Sequence, residues 1–343
     1  MKIYKIAALL PLLALAACGN RNSGSASGNC GFMQRVSDAA PAEASLHAFP
    51  TVNIPMVYGD DPASASEYSI AHYWDAYFSE GGRTDAGAVL GVSNEGLEQA
   101  LANYISLLSM VKERATPDNP EPLTKARKSV RGLFSAIERK HLEDTSAHVY
   151  PLLTELVSKY LYDPNSPLRD EDLYLPFVEA MERSAFTSDD MRAACRYEAS
   201  QCRTNPFGST VPDIRYSDVR GRKGTLYGVK ADYTMLFFSN PGCNSCKEII
   251  GELTSRDYID RYIADGKLAI VNIYIDEEVG KWRDYVPNYP SNWVNGYDYT
   301  FQLRDSGKYD IRAIPSLYLL DSSKRVLMKD APTERVLSYL DKI

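Results

Sequence analysis

From Tyr68 to about Ala199 the apolar residues recur at the three- and four-residue spacing of helices. Leu97, Leu101, Tyr104, Ile105, Leu108 and Val111 make one stripe, and Ser93 stands where its cap belongs. Val130, Leu133, Phe134 and Ile137 make a second. Val149, Leu152, Leu153, Leu156, Val157, Tyr160 and Leu161 make a third. Helices over Asp170–Ser184 and Thr187–Tyr197 follow, the latter opened by Thr187 and Asp190 in a capping-box pattern. Turn-rich breaks at 117–120 and 163–167 separate these segments. The pattern predicts an all-α domain of about five or six helices.

Near Asn205 the pattern changes. Pro212–Val219 and Thr225–Val229 read as a hairpin around the turn 220–224. Tyr233–Ser239 and Leu268–Asp276 are almost wholly apolar, as strands buried on both faces are. Helices are predicted over Cys243–Leu253, Val279–Tyr285 and Pro332–Lys342, the last with Asp330 as its cap. Residues 287–299 read as an aromatic, turn-rich loop, and Leu317–Leu320 with Arg325–Lys329 as a closing hairpin. The expected architecture is two domains. A helical one spans 46–204, and an α/β one spans 205–343 with a central mixed sheet flanked by helices.

The first residues belong to neither domain. Lys2 and Lys5 precede an apolar run over 6–17 that is too short for an ordinary membrane span. The run ends Leu15-Ala16-Ala17-Cys18-Gly19, the pattern of a bacterial lipoprotein signal. On that reading 1–17 is removed and Cys18 becomes the lipidated first residue. A plain secretory signal is the blander alternative, and both export the chain. Residues 18–45 then serve as a flexible tether rich in Ser, Gly and Asn near its start. The expected place is the cell envelope, facing the periplasm and held to a membrane by lipid. No later segment is long and apolar enough to span a bilayer.

With 343 residues, 44% of them hydrophobic, the chain has enough apolar material for two ordinary cores. A net charge of −7 and a pI near 5.3 argue against nucleic acid as a partner. The 24 tyrosines are most simply divided between core and surface.

The candidate chemistry is Cys243-Asn244-Ser245-Cys246, between an apolar strand and a helix. Two thiols so spaced at a helix N-terminus can close into a disulfide, and the free N–H groups there favour the thiolate of the first. A structural disulfide or half of a zinc site are the bland readings of such a pair. A second element, Ile311-Arg312-Ala313-Ile314-Pro315-Ser316, precedes an apolar strand about seventy residues later.

With these two elements the C-terminal half resembles the thioredoxin superfamily, closest to the membrane-tethered TlpA/ResA-type thiol-disulfide oxidoreductases. The resemblance implies that Pro315 is the cis-proline packed beside the dithiol. It also implies client proteins bearing thiols or disulfides, a membrane electron donor of the DsbD type, and no cofactor. The sequence departs from the family in places. Gly242 stands where many members have Trp, and Asn244-Ser245 where Gly-Pro or Pro-His is commoner. Phe237 takes the position of a buried acid, with Glu248 and Glu252 as candidate substitutes. In the N-terminal half, Phe49-Pro50 and Tyr68 to Asp75 resemble a domain of unknown function that precedes thioredoxin-like domains in Bacteroidota lipoproteins.

Other candidates carry less. His72-Tyr73-Trp74-Asp75 reads as an aromatic cluster docking into the core rather than a site. His141 and His148 lack a third ligand. Cys195 and Cys202 are a candidate structural disulfide. Within one helix they would stand about 10 Å apart, so a bond requires a helix break, and Ser200–Pro206 looks like one. A zinc site built from Cys195, Cys202, Cys243 and Cys246 has unfavourable spacing. Cys30 is left over: a free thiol, an intermolecular partner, or the mate of another cysteine. The leading expectation is a periplasmic oxidoreductase in which Cys243 attacks and Cys246 resolves. The rival is a non-catalytic envelope binding or assembly lipoprotein whose CxxC is a permanent disulfide.

Overall fold

The computed structural model describes residues 46–343 apart from 83, 86 and 306. The expected signal peptide, the tether, Cys18 and Cys30 lie outside the described residues. The helical half runs α1 (Pro62–His72), α2 (Asp75–Glu80), a short hairpin of β1 (Ala88–Val89) and β2 (Val92–Ser93), α3 (Asn94–Lys112), α4 (Glu121–Glu143), α5 (Val149–Leu161), α6 (Glu171–Arg183) and α7 (Asp189–Cys202). The predicted stripes are buried on α3, α4 and α5, with Leu152 and Tyr160 at their half-exposed margin. Ser93 caps α3 as expected, its Oγ accepting from Gly96 N at 3.1 Å. The aromatic block is core: Trp74, Tyr77 and Phe78 are buried around Phe49 and Tyr104, while His72 faces out and pairs with Asp75.

Two local expectations are corrected. The cap of α7 is Ser188, whose Oγ accepts from Met191 N, because Thr187 spends its hydroxyl on Tyr150. The helix also runs unbroken past Ser200 to Cys202.

The C-terminal half follows as β3 (Arg215–Ser217), β4 (Lys223–Thr225), β5 (Tyr233–Phe238), α8 (Asn244–Thr254), α9 (Asp257–Ala264), β6 (Leu268–Tyr274), α10 (Val279–Tyr285), β7 (Val294–Tyr297), α11 (Gln302–Asp305), β8 (Ser316–Asp321), β9 (Val326–Lys329) and α12 (Thr333–Leu340). Its sheet has the order β4-β3-β7-β6-β5-β8-β9, with β5, β6 and β7 parallel and the other pairs antiparallel. This is the expected mixed sheet. Strand β7 lies inside the segment predicted as a loop. Its Val-Asn-Gly-Tyr has little apolar pattern, and pairing with β6 rather than its own composition makes it a strand.

Alternation along β5 divides the core. Met235 and Phe237 face Leu253 of α8 and Val336 and Leu340 of α12. Leu236 and Phe238 face Val211, Leu226 and Tyr309 on the opposite side. The open edge of β9 is covered by the segment joining the halves, where Gly208 N donates to Val326 O and Val326 N to Ser209 O.

The two halves form one compact unit. A buried charge cluster joins them. Helix α6 starts Asp170-Glu171-Asp172, with Asp170 as N-cap and acids favoured at that end of the dipole. From the helical side Lys112 binds Asp170 and Asp172 at 2.7 and 2.8 Å. From the sheet side Arg335 binds Asp170, and Arg312 and Lys329 both reach Glu171. Asp330, expected to cap α12, is held instead by Arg312 and Arg169. Burial works to raise the Asp170 carboxyl, but Lys112 and Arg335 overcome it and hold it at about 2.

Glu171 behaves in the opposite sense. Its oxygens sit at ion-pair distance from Arg312 and Lys329 without hydrogen-bond alignment. Burial pushes it up to about 7 against the pull of both cations. A raised carboxyl pKa favours the protonated folded state. Its stabilisation is full below the ordinary value of 4.5 and is lost as pH rises through about 7. Glu171→Gln stays neutral, so it should flatten the fall in stability between about pH 5 and pH 8. Urea melts across that range check this, and an unchanged slope would assign the pH dependence to another group.

Candidate redox site

Strand β5 ends at Phe238 and the chain turns through Asn240-Pro241-Gly242 into α8. Gly242 has φ +78°, a conformation that favours glycine over any residue with a Cβ, including the Trp of many relatives by resemblance. Asn240 anchors the turn by donating to Asp276 Oδ2 at 2.7 Å. Cys243 is the N-cap of α8, and its Sγ accepts from Cys246 N at 3.1 Å. The two cysteines are joined in a disulfide with Cα atoms 5.2 Å apart, inside the normal range for such bonds. Cys243 is half-exposed, whereas Cys246 retains 2% of its surface. When the bond opens, a Cys243 thiolate replaces one missing acceptor at the helix end and meets the positive end of its dipole.

The cis-proline is present: Ile314–Pro315 is a cis peptide. Antiparallel register places Ser316 opposite Phe238, so the loop before β8 reaches the strand end from which the dithiol turn departs. Ile314 and Cys243 pack on one apolar cluster that contains Cys246 and Phe237. The structure thus brings Cys243, Cys246 and the Pro315 loop together. Two loop residues earlier in this segment, Arg312 stacks over Tyr162 at 4.2 Å and donates to the Tyr162 carbonyl. The helical half therefore holds the loop that ends in the cis-proline.

Phe237 is fully buried beside Cys246, and Glu248 and Glu252 are exposed, so neither glutamate takes the place of a buried acid. The polar groups beyond Phe237 are neutral and were not singled out in the sequence. Ser239 donates to Asn272 Oδ1 at 2.5 Å, and Asn272 donates to Asn295 at 3.0 Å. Tyr289 lies 3.2 Å from the Ser239 hydroxyl. The available signal was Asn272, a buried amide inside an otherwise apolar strand.

Cys195 and Cys202 do not form the expected disulfide. Both are buried, free thiols on α7, and the continuous helix keeps them about two turns apart. Burial pushes the Cys195 thiol up to about 11 and raises Cys202 as well, aided in each case by nearby acids. They lie on the helical half, away from the dithiol turn. His141 and His148 fall on different elements, α4 and the residue before α5. Among the described residues no group of His, Cys, Asp or Glu is arranged to hold a metal ion.

Residues 30–205 match a domain of unknown function (DUF5106), and residues 231–326 match a thioredoxin-like domain. No functionally curated protein matches the chain. A thioredoxin-like protein from Bacteroides caccae, solved by crystallography, is 33% identical, with 87% of this chain and 99% of that one aligned at a TM-score of 0.69. The C-terminal domain of an uncharacterized protein from Bacteroides fragilis is 41% identical over 40% of this chain and 99% of its own, at a TM-score of 0.39. A domain of a possible thiol-disulfide isomerase from Cytophaga hutchinsonii is 27% identical over 40% and 91%, at 0.33. The first match spans both halves, and the DUF5106 match spans more than half of the chain. The chain belongs to the DUF5106 family, in the form that carries a thioredoxin-like domain behind the helical one.

Proposed function

We propose that this chain is a membrane-anchored, periplasm-facing thiol-disulfide oxidoreductase acting on client proteins. One observation carries the reading: a half-exposed cysteine at the start of α8, bonded to a buried one. That asymmetry assigns the order of events. In the reduced protein the Cys243 thiolate attacks one sulfur of a client disulfide and expels the other as thiolate. A mixed disulfide joins client to Cys243. Cys246, as thiolate, then attacks Cys243 Sγ. The Cys243–Cys246 bond re-forms, and the client leaves with both sulfurs reduced. Two electrons pass to the client, and a dithiol donor of the DsbD type restores the pair. Pro315 shapes the groove in which the client backbone lies, because proline brings no N–H of its own to the loop edge.

Three outcomes follow. Cys246→Ser removes the resolving thiol and should accumulate mixed disulfides, seen as higher-mass adducts on non-reducing gels of cells. Adducts from Cys243→Ser instead would reverse the two roles. The Cys243–Cys246 potential, read by equilibration with glutathione and dithiothreitol buffers, should fall between about −120 and −270 mV, where catalytic dithiols lie. A value below about −300 mV with no insulin reduction would favour the non-catalytic scaffold. For the anchor, Cys18→Ala should move the protein from the membrane fraction to the soluble periplasmic one. A variant that still pellets with membranes would overturn lipidation at Cys18.

A further inference from the structure

The helical half carries a groove of about 940 Å³ between α5, α6 and α7, remote in sequence from the dithiol. Its walls are Tyr150, Tyr162, Phe186, Met181 and Met191. Its volume is in the range of ligand sites. The hydrogen bonds of its floor restrict what it accepts. Tyr174 donates its hydroxyl proton to Glu198 at 2.7 Å. The Ser158–Tyr174 contact at 2.9 Å must therefore run from Ser158 to the Tyr174 oxygen. Thr154 spends its proton on Tyr150 O. These three hydroxyl protons are all committed. Of these floor groups, Ser158 Oγ and Glu198 keep accepting capacity, while the Tyr162 and Ser188 hydroxyls on the walls can still donate.

The rim has the same bias. Glu155 and Asp163 are exposed at the groove. Among the described residues that line it, the cation Lys159 is engaged by Glu98 at 2.9 Å. An occupant with positive charge and an apolar body best matches these carboxylates and the aromatic walls.

We propose that this groove binds a polypeptide segment in which aromatic or aliphatic side chains alternate with Lys or Arg. A polypeptide fits better than a small amine. Its three carboxylates stand on α5, on the loop after it and on α7, so several cations on one backbone answer them together. The groove is also tied to the redox half. Tyr162, one of its walls, carries the stacking and carbonyl contacts to Arg312 on the loop that ends in Pro315. That the segment belongs to a redox client rests on the oxidoreductase reading. The binding itself does not.

The test is fluorescence anisotropy on the full chain with a labelled peptide of alternating Lys and Phe, and a matched peptide of alternating Glu and Phe. The Lys peptide should bind at least about tenfold more tightly. Glu198→Gln and Met191→Lys should each weaken it by about fivefold or more, with unchanged melting temperature. Met191 is 49% exposed, so its replacement leaves the core untouched and places a cation at the groove. Equal binding of the two peptides, no binding of either, or indifference to Met191→Lys would overturn the proposal. Phenethylamine displacing the peptide at equal concentration would make the groove a small-amine site and overturn it too. No electron transfer enters this measurement. Tight Lys-peptide binding beside an inert dithiol would sink the oxidoreductase reading alone, and an active dithiol without peptide binding would sink this proposal alone.

Discussion

The start of α6 is the point on which the arrangement of the halves depends. Asp170, Glu171 and Asp172 are buried there, and the cations that hold them come from both halves. Lys112 and Arg127 reach them from the helical side, and Arg312, Lys329 and Arg335 from the sheet side. Buried ion pairs add little net stability, since desolvation consumes most of the Coulomb gain. Their effect is geometric: removing water makes one relative placement far better than its neighbours. Lys329 adds to this by donating to Gln201 O in the last turn of α7 and to Thr204 O just beyond it.

That placement reaches the redox site through Arg312. Its guanidinium meets Glu171, Asp330, the Tyr162 ring and the Tyr162 carbonyl. The segment that follows leads directly into the cis Ile314–Pro315 bond. On the proposed reading this loop is the edge that meets clients. Here its approach is fixed from one side by the helical half. The domain of unknown function is therefore part of the frame of the site, whatever it binds.

Much of this was legible in the chain and some was not, for physical reasons. Helix stripes, Ser93 and the dithiol turn rest on local pattern, and local pattern is what a sequence displays; the cis-proline came through the family resemblance that the dithiol and the 311–316 element carry. Most errors came where partners far along the chain decide; the Cys195–Cys202 bond failed because α7 runs on without a break to Cys202. Asp330 stands two residues short of the N-cap of α12, which is Pro332, and is held by Arg312 and Arg169. Thr187 begins a capping-box pattern but is taken by Tyr150. Val294–Tyr297 becomes a strand only because β6 lies beside it. The charge cluster was invisible for the same reason: Glu171 and Lys329 are ordinary surface-type residues until folding buries them together.

The four described cysteines show how geometry divides one chemistry. Cys243 and Cys246 stand at a helix boundary, where the cap's extended backbone lets the first sulfur fold back over the first turn. Cys195 and Cys202 stand inside a helix, whose rise fixes them beyond bonding distance. The same dipole and free N–H groups that favour a thiolate at Cys243 are absent mid-helix and at the helix end, where burial and acids favour the neutral thiol. Phe237 then limits the redox pair in turn. With an aromatic ring where an acid would sit, the buried Cys246 has no ionisable neighbour on β5 to take its proton, only the neutral Ser239–Asn272 pair further along. On the proposed oxidoreductase reading, Cys246 would give its proton to water or to a client group beside Pro315, so the resolving step would depend on how the client is seated.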